Sequence, residues 1–313
     1  MNLPDNIIKQ FCICEPINRV RCDGISVIIT IHGSGRIEQL KRCLYWISNQ
    51  SLTPVEIIVV EHSINPVVTT NMLLEYPGAR YILLKNDTLF CKAACYNLGV
   101  SEAKYDRICG IDCDLIMPTD FLLNGYNELL THDACFLAGD IYFLTNQMKN
   151  MYDFHFSGKT WLKDRAPWQF HGGTFFINKG KYFAIGGHDE NFKGYGSEDS
   201  EFYERVSKIL KVKKSDHIVL HQEHGREPHI LDNIEKNKTY LYGLKDIPDK
   251  TRVSQLHSYN RYLINKTGKI EVLEISDIPI TQTPTCSASN IAEVFLDKTL
   301  AVANRLRRRN MGF

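Results

Sequence analysis

The sequence has almost no excess of charge of either sign: 37 Lys and Arg stand against 36 Asp and Glu, a formal net charge of +1. A protein that grips a nucleic-acid duplex by its phosphates carries a clear basic excess, so nucleic acid is set aside as a partner. Long apolar runs are missing as well. The longest, ISVIITI over residues 25–31, falls far short of the about 20 residues a membrane-spanning helix needs. The opening MNLPDNIIKQ lacks the basic-then-apolar pattern of a secretory signal. Ten cysteines contain no C-x-x-C pair. Cys12/Cys14, Cys91/Cys95 and Cys109/Cys113 do not have the paired-knuckle spacing of a structural zinc site. These absences lead us to expect a cytoplasmic chain with reduced thiols. The sequons at Asn49, Asn86, Asn237 and Asn265 have no bearing in that setting. No internal repeat and no low-complexity segment interrupts the chain.

What is present is globular in character: 313 residues, 43% hydrophobic and 11% aromatic, suit one large α/β domain or two fused lobes. ISVIITI reads as a strand buried on both faces. IEQLKRCLYWISNQ follows, with Ile37, Leu40, Leu44 and Ile47 at helical spacing. VEIIVVEHS and ARYILLKND read as further strands, LFCKAACYNLGVSEA as a helix, and DRICGIDCDLIMP as a strand running into an acidic turn. Strands alternating with helices predict a mainly parallel central sheet flanked by helices. Such sheets bind ligands beyond the carboxyl ends of their strands, where Glu61, Asp112 and Asp114 fall. Past residue 120, glycine and aromatic residues become denser, as expected of loops that contact a substrate.

Three constellations carry chemistry. Asp112-Cys113-Asp114 closes the apolar run ICGI. Two carboxylates one residue apart face one divalent ion when the strand bends, and oxygen ligands suit Mg²⁺ or Mn²⁺, which neutralise a diphosphate. The same tripeptide alone also suits a solvated turn. In Gly194-Tyr195-Gly196-Ser197-Glu198-Asp199 the glycines allow a tight loop and Ser197 is placed to cap a helix. The acids then either complement the helix dipole or present a general base to a pocket. His221-Gln222-Glu223-His224 follows the apolar IVL, where a neutral imidazole is a metal ligand or a spare surface group.

Together these segments resemble a family. SVIITIHGSGRIEQLKRCLYWISNQSLTPVEIIVVEHS is similar to the start of family 2-type glycosyltransferases of the GT-A fold. HGGTFFINKGKYFAIGGHDENFKGYGSEDSEF resembles the C-terminal galactosyltransferase motif found in β4-galactosyltransferases and bacterial chondroitin polymerases. The resemblance covers about residues 23–230. It implies an α/β GT-A domain with a leader over 1–22, a nucleotide-sugar half over 23–120, an acceptor half over 121–230 and an extension over 231–313. It also implies Asp112 and Asp114 at the metal–diphosphate, with His221 completing the metal site, and Asp199 as catalytic base. Glu198 and Tyr195 match acceptor positions. Glu61, Lys92, Asn97, Gly172 and Gly173 match donor positions, although Glu61 replaces the usual aspartate and His32 stands where proline is common.

The implied reaction is inverting, metal-dependent transfer of a hexose or N-acetylhexosamine from a UDP-sugar to a glycan or lipid-linked glycan hydroxyl, in bacterial capsule or cell-surface polysaccharide synthesis. An inactive glycan-binding module would lack the DxD or the base, and both are present. A nucleotidyltransferase would show a Gly-rich phosphate loop, for which HGSGR is a faint candidate. Should the base lie elsewhere, His188 and Asp189 are next. In the tail, Ile291, Val294 and Phe295 fall on one helical face, as do Leu296 and Leu300, ahead of Arg305, Arg307, Arg308 and Arg309. That pattern suits a helix packed on the domain or peripheral contact with an anionic membrane.

Overall fold

The computed structural model describes residues 5–13, 17–76, 78–85, 89–137, 139–145, 151, 154, 156–161, 173–225, 233–264 and 270–273. Gly172 and the basic tail lie outside them. The short helix α1 (Asp5–Ile8) precedes β1 (Val20–Ile31), α2 (Ile37–Ser48), β2 (Leu52–His62), α3 (Thr70–Leu74), β3 (Ala79–Leu84), α4 (Lys92–Glu102) and β4 (Arg107–Asp112). Then come β5 (Leu115–Ile116), α5 (Phe121–Glu128), β6 (Ala134–Leu137), β7 (Ile141–Leu144), β8 (Phe156–Trp161), β9 (Thr174–Asn178) and α6 (Lys179–Ala184). The chain continues through α7 (Glu198–Ile209), β10 (Val212–Ser215), β11 (Val219–His221), α8 (Ile234–Leu244), α9 (Asp249–Tyr259), α10 (Arg261–Ile264) and β12 (Ile270–Leu273). β1 starts at Val20, so the expected break between a leader and the nucleotide half at residue 22 falls inside a strand.

The main sheet has the order β10-β6-β9-β4-β1-β2-β3-β12. Strands β3, β2, β1 and β4 are parallel, while β9 runs antiparallel to β4 and β6. Side chains alternate across a strand and both faces of this sheet are covered, so residues 25–31 of β1 are all buried. Ile25, Val27, Ile29 and Ile31 join a core with Leu40, Leu44 and Ile47 of α2 and Phe121 and Leu122 of α5. Ile28 points the other way, into a core with Ala94, Cys95 and Leu98 of α4 and Phe202 and Val206 of α7. At Gly99 a Cβ would meet Ile28 Cγ2 at 2.3 Å, so only glycine lets α4 lie this close to β1. Near the N-terminus, Ile7 and Phe11 pack with Trp46 and Leu220 in a third, smaller core.

Strand order reverses at β1, with β2 on one side and β4 on the other. The crevice beyond the carboxyl ends of β1 and β4 is the ligand position that such a switch creates. A second sheet, β5-β11-β7-β8, borders it.

Candidate active site

β4 delivers Asp112 to the crevice and the turn after it delivers Asp114. The two carboxylates diverge. Asp112 accepts a hydrogen bond from the Tyr96 hydroxyl at 3.0 Å and lies 3.5 Å from Lys92 Nζ. Lys92 and Tyr96 are one helical turn apart on α4, which is why both reach the same carboxylate. The Asp112 amide donates to the Gly173 carbonyl at 2.7 Å. Gly173 has φ +100°, and a Cβ there would sit 3.0 Å from Asp112 Oδ2, so this backbone reaches the acid only as glycine.

Lys92 also contacts Glu198 at 3.0 Å and Asp199 at 2.7 Å. A cation in the first turn of a helix opposes the helix dipole, and three carboxylates reverse that cost. Burial works against the Lys92 charge, but Asp112, Asp199 and Glu198 more than offset it and hold the ammonium well above its ordinary range. Asp199 is raised as well, which for an acid disfavours the charged form. Burial raises it, Lys92 pulls it down, and the charges of Glu198 and Asp112 help carry the balance up to about 7. The acids reach Lys92 because their loop is sewn to the start of α4. The Gly194 amide donates to the Phe90 carbonyl at 2.8 Å, and the Cys91 thiol lies 3.5 Å from the carbonyls of Glu190 and Phe192. Ser197 precedes α7, as its position in the sequence suggests, but makes no side-chain cap. It holds a left-handed φ of 76°. Tyr195 is 42% exposed at the mouth of this loop.

Asp114 belongs to a different group. Its side chain is 4% exposed, 3.1 Å from His224 Nε2 and 3.9 Å from His221 Nε2, and it is paired with Arg36. Burial opposes the charge, and the two imidazoles with the Arg36 guanidinium hold the carboxyl well below its usual range. Pairing of β11 with β5 sets His221 opposite Leu115, and the Gln222 amide donates to the Asp114 carbonyl at 2.8 Å. Ligand atoms of Asp114, His221 and His224 lie within 4.8 Å of one another. Such a donor set fits a divalent ion. His221 Nδ1 is buried without a hydrogen-bond partner among the described residues.

Several expected residues do other work. Glu61 is fully buried. Its carboxylate accepts from the amides of Val67 and Val68 at 2.7 and 3.1 Å and from the Tyr81 hydroxyl at 2.6 Å. It shapes the loop after β2. Asn97 is equally buried. It donates to the His188 carbonyl and Glu190 and accepts from Tyr182 and the His188 amide, so it pins the turn at residues 186–190 instead of facing the donor. His188 stacks on Phe202 at 3.7 Å and Asp189 pairs with Arg252, which removes both fallback bases from the crevice. Asp112 stands outside the histidine trio. His32, after β1, stacks on Phe90 at 5.1 Å, with Nδ1 2.6 Å from the His62 carbonyl. Its neighbour His62 is lowered to about 4 by burial, with His32 and Lys193 adding to the effect. Sequence reasoning missed Arg36 and Tyr96. The i, i+4 spacing of Tyr96 from Lys92 was a usable signal, whereas nothing local links Arg36 to Asp114.

The glycosyltransferase-like family 2 model matches residues 26–227, and the chain belongs to that family. The α/β architecture with its mostly parallel sheet is the GT-A fold. Among solved structures, the chain is similar to the catalytic domain of Drosophila β1,4-galactosyltransferase 7 in complex with xylobiose. Identity is 20%, with 61% of this chain and 64% of that chain covered and a TM-score of 0.39. It is also similar to a mutant of that enzyme in complex with manganese, UDP-Gal and xylobiose, at 19% identity, the same coverage and a TM-score of 0.40. The chain thus spans less than two thirds of the length of those proteins. No curated protein matches it.

Proposed function

We propose that the chain transfers a hexose or N-acetylhexosamine from a UDP-sugar to a glycan hydroxyl with inversion, and that a divalent metal is required. The observation that carries this reading is Lys92, which holds the donor-side Asp112 and the loop acids Glu198 and Asp199 in one cluster. Asp114, His221 and His224 would hold the ion, and their two imidazoles weigh towards Mn²⁺ over Mg²⁺. A bound ion would take up charge on the departing diphosphate. Asp199 Oδ accepts the proton of the attacking hydroxyl. Glu198 and the Tyr195 ring hold the acceptor, and Lys92 keeps the acids together and balances their charge. Asp112 orients the donor sugar, with Gly173 allowing backbone approach beside it. A role in bacterial capsule or cell-surface polysaccharide synthesis, with a lipid-linked acceptor at the cytoplasmic membrane face, fits the basic tail. No helix among the described residues is long and apolar enough to cross a membrane.

The test is UDP release from UDP-galactose, UDP-glucose, UDP-N-acetylglucosamine and UDP-N-acetylgalactosamine with Mn²⁺, over a panel of p-nitrophenyl glycosides. One donor–acceptor pair should release UDP, and EDTA should stop it. Turnover that persists in EDTA would remove the metal. Release of sugar 1-phosphate in place of UDP would point to nucleotidyl transfer.

A further inference from the structure

α8 and α9 lie beyond the residues matched by the family model, yet their inward side chains address the loop that leads into α7. Asn237 is the one buried residue of α8. Its Nδ2 donates to the carbonyls of Lys193 at 2.9 Å and Tyr195 at 3.2 Å. One turn on, the Tyr240 hydroxyl donates to Asp189 at 2.9 Å and accepts from Asn191 at 3.1 Å, and its ring meets Phe192 at 5.0 Å. From α9, Arg252 pairs with Asp189 and reaches Glu201 of α7 at 3.1 Å. Asn260, at the end of α9, donates to the carbonyls of Gly186 at 2.7 Å and His188 at 2.6 Å.

A helix docked for stability alone buries an apolar stripe. This one buries an amide and directs it at two carbonyls of one loop. The loop needs a tether. Gly194 and Gly196, both at positive φ, give the segment backbone freedom, and losing such freedom opposes binding.

We propose that Asn237 is a positioning residue that holds the Lys193–Tyr195 backbone in its acceptor-ready conformation, and that α8 thereby acts as the brace of the acceptor site. This rests on the reading that Tyr195 meets the acceptor. The brace acts on loop order before binding, so its loss should appear in acceptor KM and leave donor KM unchanged.

The experiment compares Asn237→Leu, Asn237→Ser, Tyr195→Ala and the Asn237→Leu/Tyr195→Ala double variant. UDP release is measured with the p-nitrophenyl glycoside selected above, and thermal melts show which variants are folded. A net hydrogen-bond contribution corresponds to about a two- to tenfold rise in acceptor KM for either Asn237 variant. In the double variant this rise should largely vanish, because Asn237 acts through the segment that carries Tyr195. A general structural role would instead lower kcat and raise both KM values together. If Tyr195→Ala raises acceptor KM while folded Asn237 variants do not, or if the two effects simply add, the positioning role is overturned and the acceptor reading stands. If Tyr195→Ala leaves acceptor KM unchanged, the acceptor reading fails and the brace fails with it.

Discussion

Asp199 keeps its proton to an unusually high pH for an aspartate because burial and the nearby Glu198 and Asp112 charges outweigh Lys92. The base form therefore predominates only above about 7. We expect kcat/KM to fall with decreasing pH below about 7 with the slope of one proton, measured by initial rates across a buffer series. Asp199→Asn should lower kcat by about 10²–10⁴-fold and abolish that limb, with donor binding little changed. A surviving limb would assign it to another group. Glu198→Gln should instead raise acceptor KM more than it lowers kcat, because it removes a contact already made before the transition state. Asp114 lies on the other side of the divide. Even outer-shell partners of metal ligands are worth about 10–100-fold in affinity, so Asp114→Ala should weaken Mn²⁺ binding by at least about 100-fold. Titration calorimetry would read this directly, with circular dichroism reporting on the fold.

At the scale of elements, the site depends on how strands and helices end. β4 ends between two groups, and the turn into β5 sends Asp112 to α4 and Asp114 to β11. The start of α7 carries strain. Ser197 occupies a left-handed conformation with no side-chain cap, which costs a non-glycine residue roughly 1–2 kcal/mol. Glycine avoids that cost while losing roughly 0.5–1 kcal/mol to greater freedom in the unfolded chain. Ser197→Gly should therefore stabilise the protein slightly, raising Tm by about 1–2 °C in a calorimetric scan. A fall in Tm would mean that the serine side chain contributes something beyond a cap.

For the whole molecule, the reversal of strand order at β1 opens the crevice, and helices on both faces keep the sheet rigid beneath it. The described extension closes on the Lys193–Tyr195 loop instead of standing apart from it. The basic tail is a separate matter of charge. Deleting residues 305–313 should weaken binding to anionic liposomes in a sedimentation assay, since each Lys or Arg near such a surface contributes about 1 kcal/mol. Binding that is unchanged by the deletion would retire the membrane contact.

The sequence alone determined β1 to β4 with α2 and α4, and the membership of the family, because both are written in local pattern. The continuous β-branched run ISVIITI of β1, the helical spacing of Leu40, Leu44 and Ile47, and the order of DCD, GYGSED and HQEH need no partner in space to be read. Local pattern does not carry direction. Asp112 and Asp114 are two residues apart, and only the β5–β11 pairing decides that one meets histidines while the other meets Lys92. Glu61 and Asn97 occupied plausible donor positions in the sequence. Tertiary packing turned both inward, where their polar atoms satisfy buried backbone and side-chain groups that would otherwise be costly to bury. Asn237 reads in sequence only as a sequon. Folding buries its amide against a loop more than 40 residues earlier, a contact that no local periodicity encodes.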